Sequence, residues 1–265
     1  MKDCREEWYD AGLKVAVTVV DVTTAAQELA RGHLCGPTSA HYLAEALAAV
    51  ALLGAETSEK DEVVSLQMKC DGPLGGLNVE CSAEGALRGY TEKKILDEFD
   101  GMGTPKDSAV LGARQIQVTR SVPGRILSQG ISNSLDGYLA GSLQRRAVVR
   151  LAAEVTDEVQ VVTARGLLVE ALPDCDIGAV PAIGQLMDAK TKLALTVASR
   201  NLLNKLGLGR AELKKSSPLK FMCRCSPDRA VAMLGALSDE EKKNLPPTID
   251  ITCHMCGRTF TVKTR

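Results

Sequence analysis

Apolar residues fall along this chain in two alternating rhythms, one of helices and one of strands. Leu13–Val22 reads as a strand, after which Thr23 or Thr24 caps a short helix to Arg31. Over Pro37–Leu53 the apolar positions Tyr42, Leu43, Ala46, Leu47, Val50 and Leu53 recur at helical spacing, and Gly54 ends the run. From Val64 the period drops to two. Val64, Leu66, Met68 and Cys70 alternate with polar residues, Asp71–Gly76 turns, Leu77–Cys81 returns, Glu84-Gly85 turns again and Ala86–Tyr90 continues. That pattern is a three-stranded meander. Gln115–Thr119 and Arg125–Ile131 pair around Pro123-Gly124, and a helix follows with Leu135, Tyr138, Leu139 and Leu143 on its apolar stripe. Arg146–Ala153 and Gly166–Leu172 are the last strands of this block, which Pro173 closes.

Beyond Pro173 the texture changes. Ala182 to about Leu206 is helical, and Leu208–Ser217 is a polar connector ending at Pro218. Ser226-Pro227-Asp228 starts one short helix with a cap, a proline at the first position and an acid in the first turn. Ser238 with Glu241 makes a capping box for another. Ile249–Cys253 and Thr259–Lys263 are two strands flanking a turn. The fold class is α+β: a body over 1–173, a helical linker over 174–219 and a small module over 220–265.

Charge alters this picture only in its division. The net charge is −1, but residues 1–173 carry −7 while 174–215 and 220–265 each carry +3. An acidic body repels nucleic acid, and the tail is too weakly basic to track phosphates. No apolar run is expected to reach the roughly 20 residues of a bilayer span, and Met1–Tyr9 is too charged for a signal-peptide core. A cytoplasmic protein is expected, with thiols normally reduced.

Nine cysteines in such a compartment point to metal or redox chemistry. Four are paired near one end, as Cys223-x-Cys225 and Cys253-x-x-Cys256. Structural zinc takes four tetrahedral ligands and favours thiolates, so these four predict a Cys₄ site for one Zn²⁺ per reduced chain. The module needs such a staple. Phe221, Val231, Leu234, Leu237, Ile251 and Phe260 make only a small core, and structural zinc contributes about 10–16 kcal/mol in small peptides. Bound thiolates are also the form that oxidants attack, so spacing leaves open a passive staple or a redox switch.

Phe221–Ser226 with Asp228-Arg229, then Ile251–Gly257 with Phe260, resembles the zinc-binding end of the heat shock protein 33 family. Val64–Tyr90, with Gln67, Asp71–Leu74 and Leu87–Tyr90, resembles that family's central meander. Gly166–Pro173 resembles the end of its first domain, and Tyr138, Ser142 and Gln144 a further stretch. Leu143 and Arg145-Arg146 stand where the family carries an acid and a proline, and 182–206 is more basic than its linkers. The resemblance implies a redox-regulated, ATP-independent holdase of the stress response, not an enzyme. Reduced and zinc-bound it is inactive. Oxidation pairs Cys223 with Cys225 and Cys253 with Cys256, zinc leaves, tail and linker unfold, and the exposed apolar surface binds unfolding client proteins. A homodimer is implied for the oxidised state, with no nucleic acid or membrane partner.

Other constellations are weaker. His33, Cys35, Cys70 and Cys81 lack the spacing of a second metal site, Cys4 and Cys175 are scattered, and His254 faces solvent beside a site already filled by sulfur. Ser39 and His41 are too close for a triad, and Gly75-Gly76 lacks the lysine of a phosphate loop. The rival class is a zinc-ribbon protein binding nucleic acid or ribosomes, and the acidic body and scarce aromatics weigh against it. A thiol oxidoreductase using Cys253 and Cys256 ranks last, because that pair does not open a helix after a strand.

Overall fold

A computed structural model describes residues 2–57, 59–103, 105–194, 197–235, 237–238, 240–241 and 244–264, and of 190–194 the backbone alone. Two sheets enclose one helix. The first sheet runs in the order β10 (Glu212–Pro218), β1 (Cys4–Asp10), β2 (Val15–Asp21), β9 (Val161–Ala171), β8 (Ala147–Val155) and is antiparallel throughout. The second runs β11 (Lys220–Phe221), β5 (Ala86–Thr91), β4 (Gly76–Ser82), β3 (Val63–Cys70), β6 (Arg114–Val122), β7 (Arg125–Ser132). Its pairings are antiparallel except β11 on β5, which is parallel. The mixed α+β architecture expected from the two rhythms is present, and β3–β5 form the meander.

Helix α2 (Pro37–Leu53) fills the space between the sheets. Six alanines, Ala40, Ala44, Ala46, Ala48, Ala49 and Ala51, let both sheets approach it, while Leu43, Leu47, Val50 and Leu52 are fully buried. Each such large side chain contributes about 1.5–3 kcal/mol, which is how a core poor in aromatics is held. With the following turn, Pro37–Glu56 is long and apolar enough by length and composition to cross a bilayer, against the sequence expectation. Here that apolarity is consumed by the core, since a helix covered on all sides has no polar face to keep.

Helix α1 (Thr23–His33) packs against α2, but its cap differs from the expected threonine. The carboxylate of Asp3, next to β1, accepts the amides of Thr24 (2.9 Å) and Ala25 (2.6 Å). Strand β1 itself was hidden by its charges. Arg5 is buried there and donates to Ala51 O (3.3 Å), and Trp8 lies under the Arg200 guanidinium at 4.4 Å. Two further short helices, α3 (Asp107–Val110) and α4 (Leu135–Gly141), bury Val110 of α3 and Tyr138 and Leu139 of α4.

The linker is more structured than a connector. Instead of one helix over 182–206 there are two, α5 (Ala179–Ala194) and α6 (Ser199–Lys205), with 195–196 outside the described residues. Val180, Ile183, Met187, Leu202 and Leu203 pack on Val15, Val17, Val19, Leu167 and Val169, making a second core on the outer face of the first sheet. Strand β2 is thus covered on both faces, the reason its sequence is apolar almost without alternation. The polar stretch after Leu208 contains β10, an edge strand whose side chains are nearly all exposed. Its polarity is that of an edge and not of a loop.

Past β11 come α7 (Pro227–Gly235) and the hairpin of β12 (Thr248–Thr252) and β13 (Thr259–Lys263). Ser226 Oγ accepts the Arg229 amide at 3.2 Å, capping α7 as expected. The Ser238–Glu241 box forms in both directions, at 2.8 and 3.3 Å. The helix it was expected to open runs into positions outside the described residues.

Candidate metal centre

The four paired cysteines come together. Cys223 and Cys225 follow β11, which is held to β5 by Lys220 N to Gly85 O (3.0 Å) and Met222 N to Leu87 O (3.1 Å). Cys253 and Cys256 sit in the turn between β12 and β13. Its backbone closes by Cys253 N to Arg258 O (2.9 Å) and Gly257 N to Cys253 O (2.9 Å). Their four sulfurs lie within 4.8 Å of one another. Two close approaches run across the pairs, Cys223 to Cys253 at 3.7 Å and Cys225 to Cys256 at 3.5 Å.

The donor set fits zinc. Sulfurs about 2.3 Å from a tetrahedral Zn²⁺ stand about 3.8 Å apart, near the separations found. Left to themselves the thiols cannot all ionise. Burial opposes the charge on Cys223, yet hydrogen bonds from the Cys225 amide and from the Cys225, Cys256 and Cys253 thiols bring it down to about 7. Burial, with the neighbouring Cys223 thiolate, raises Cys225, and burial with the same cluster raises Cys256 strongly. One thiolate is stabilised at the expense of the rest, and a divalent cation is what such a cluster lacks to hold four.

The surroundings belong to the body. Arg88 of β5, paired with Glu80 at 2.6 Å, reaches the Cys223 sulfur. The Gly89 amide donates to Met255 O (3.0 Å), and His33 Nε2, at the end of α1, donates to Gly89 O (2.9 Å). His254 is exposed as expected and meets Tyr90 edge-on at 5.1 Å. Cysteine spacing could not reveal these neighbours, although Arg88, Gly89 and Tyr90 lie in the Leu87–Tyr90 motif.

The tail's own core is smaller than its composition suggested. Val231 and Met233 are 49% and 66% exposed, whereas Ala230 and Val262 are buried. Phe221, Cys223, Cys225 and Cys253 pack against the main core instead, with Cys256 fully inside it. The remaining cysteines are apart from the site. Cys35 and Cys81 are core thiols that burial pushes up, Cys175 lies in the second core, and Cys4 and Cys70 sit on strands. Among the described residues the four tail cysteines are the one group of donors close enough to share a metal.

A family model described as Hsp33 protein matches residues 8–263. A 33 kDa chaperonin of Symbiobacterium thermophilum is 27% identical over 267 residues, covering 94% of this chain and 90% of that protein. One from Thermus thermophilus is 26% identical over 278 residues, covering 94% and 81%. The crystal structure of a 33 kDa chaperonin (heat shock protein 33 homolog) from Thermotoga maritima superimposes with a TM-score of 0.87. At 18% identity, over 100% of this chain and 96% of that one, it is a likeness of fold.

Proposed function

The chain belongs to the Hsp33 family, and from that membership we propose that it is an ATP-independent holdase switched on by oxidation of its four tail cysteines. The observation that carries this is the position of the sulfurs. They lie at the seam between tail and body, and Cys256 is buried in the body's core. Cys223, Cys225, Cys253 and Cys256 would hold one Zn²⁺, which, when bound, keeps all four as thiolates and ties the end of β11 to the β12–β13 turn.

A peroxide or hypochlorite takes two electrons from each dithiol, and the two sulfurs join. Cys223 then pairs with Cys225 and Cys253 with Cys256, and the metal is released. A tail in which, among the described residues, little is buried besides Ala230, Cys256 and Val262 cannot stay folded without its staple. If loosening spreads back through β10 to α6 and α5, the Val15, Val17, Val19, Leu167 and Val169 face is uncovered. An apolar face of that kind binds unfolding chains and also offers a surface for the dimer of the oxidised state.

Metal content of the reduced protein, then metal release and suppression of client aggregation against peroxide or hypochlorite, test this reading together. One Zn²⁺ per chain, lost as holding activity appears, is expected. Reduced protein without stoichiometric zinc would overturn it. A variant with Cys4, Cys35, Cys70, Cys81 and Cys175 replaced by alanine or serine is expected to respond to oxidant unchanged.

A further inference from the structure

Far from the cysteines, a cavity of about 380 Å³ opens between α2, the inner face of the second sheet and the start of α4. Its origin is legible on α2. Tyr42, Glu45, Ala46 and Ala49 share one helical face, and two alanines cannot fill the gap to Leu66, Met68 and Ile116 opposite. Apolar side chains make up most of the walls, and the charged groups of the lining other than Glu45 fall into two clusters. Arg114 pairs with Asp107 (3.0 Å), which also accepts the Tyr42 hydroxyl (3.2 Å). Arg150 pairs with Asp136 (3.0 Å) and with Asp188. Both cations of the lining are therefore matched by carboxylates.

Glu45 is not. Its side chain is 25% exposed, and Glu45 is itself part of the cavity lining. Among the described residues no lysine or arginine forms a salt bridge with it: His41 Nε2 stands 3.7 Å away, and the Arg114 charge reaches it only from beyond salt-bridge distance. A largely apolar chamber with a carboxyl that has no salt bridge to lysine or arginine is complementary to a compact cation on a hydrocarbon stem. We propose that this cavity binds a small aliphatic primary amine, its chain against Ala46, Ala49, Leu66 and Met68 and its ammonium on the Glu45 carboxylate. The site is independent of the metal centre and of the holdase reading.

Calorimetric titration of the reduced, zinc-loaded full chain at pH 8, where Glu45 is ionised and the amine is still charged, with n-hexylamine, 1-hexanol and hexanoate decides it. Hexylamine is expected to bind at least about ten-fold tighter than either other probe, the ratio of one charge-assisted contact. Glu45→Gln, nearly isosteric, is expected to bring hexylamine to the level of hexanol, and Ala49→Leu to weaken both by filling the chamber. Equal binding of the three probes, absence of binding, or an amine affinity untouched by Glu45→Gln would overturn the proposal. Should neither variant fold, the ranking of the probes on the unaltered chain still decides between these outcomes.

Discussion

At Gly32 the backbone of α1 meets the backbone of the cysteine turn with no side chain between them. A Cβ on Gly32 would stand 2.7 Å from the carbonyl oxygen of Cys256, and one on Gly257, whose φ is +70°, would collide with the Gly32 carbonyl. In a helix, glycine to alanine ordinarily stabilises by about 0.5–1 kcal/mol. Here the methyl must push the turn away, so Gly32→Ala is expected to loosen the tail while all four cysteines remain. The Gly89 amide, bonded to Met255 O, reports the change by faster hydrogen exchange. Gly141→Ala, with open space around its Cβ, is the control expected to leave exchange unaltered. Glu45 gives a second residue-scale expectation. Burial first, and the Asp107 charge second, raise its carboxyl from the ordinary 4.5 to about 7, with Arg114 opposing. The folded state thus favours the protonated acid. That contribution is whole below pH 4.5 and is lost as pH rises to about 7, at most about 3 kcal/mol. Glu45→Gln is expected to abolish this slope and to melt higher than the parent at pH 8. Cysteine spacing could be read directly because the chemistry resides in the spacing. The role of Gly32 could not, since it is set by atoms more than 220 residues further along the chain.

Elements with a strong period were legible, and those defined by their partners were not. The bounds of α2 and the meander follow from side chains that must face a core, and the sequence carries that requirement locally. Strands β1 and β10 show no such alternation. Each is held by pairing with the other over Cys4–Pro218 to Tyr9–Glu212, a partnership between the two ends of the fold. The cap of α1 belongs to the same class, because its acceptor, Asp3, is 21 residues away from Thr24. Removing that carboxylate strands two amides at a buried helix start. Asp3→Ala is therefore expected to cost about 1–2 kcal/mol in urea or thermal unfolding, with Asp3→Asn recovering part of the loss. No change on Asp3→Ala would mean that Asp21, which accepts the Thr23 amide at 3.2 Å, suffices as the cap.

On the scale of the whole molecule, residues 212–221 lace the two sheets together before Cys223 is reached. Strand β10 lies along β1 of one sheet, Leu219 N donates to Asp3 O (3.0 Å), and β11 lies along β5 of the other. The helices that cover the Val15–Val19 and Leu167–Val169 face precede this lacing, so a tail released at the cysteines pulls on a cover already held at one edge. Which sulfurs join then decides the outcome. Disulfides within each pair leave β11 and the turn free to part, whereas a Cys223–Cys253 or Cys225–Cys256 bond, across the pairs, would staple them. Oxidised protein is accordingly expected to contain Cys223–Cys225 and Cys253–Cys256 bonds by mass mapping. Limited proteolysis should cut first within 220–265, next in α5 and α6, and last in the body before Pro173. A chain ending near Pro173 lacks β10, α5 and α6 together. It is expected to bind clients without oxidant and to self-associate, because it bares the outer sheet face and the β1 edge at once. A tail equally protected before and after oxidation, or cross-pair disulfides with the tail intact, would make the four cysteines a staple only. Holding activity would then have to arise from a surface that is open in the reduced state.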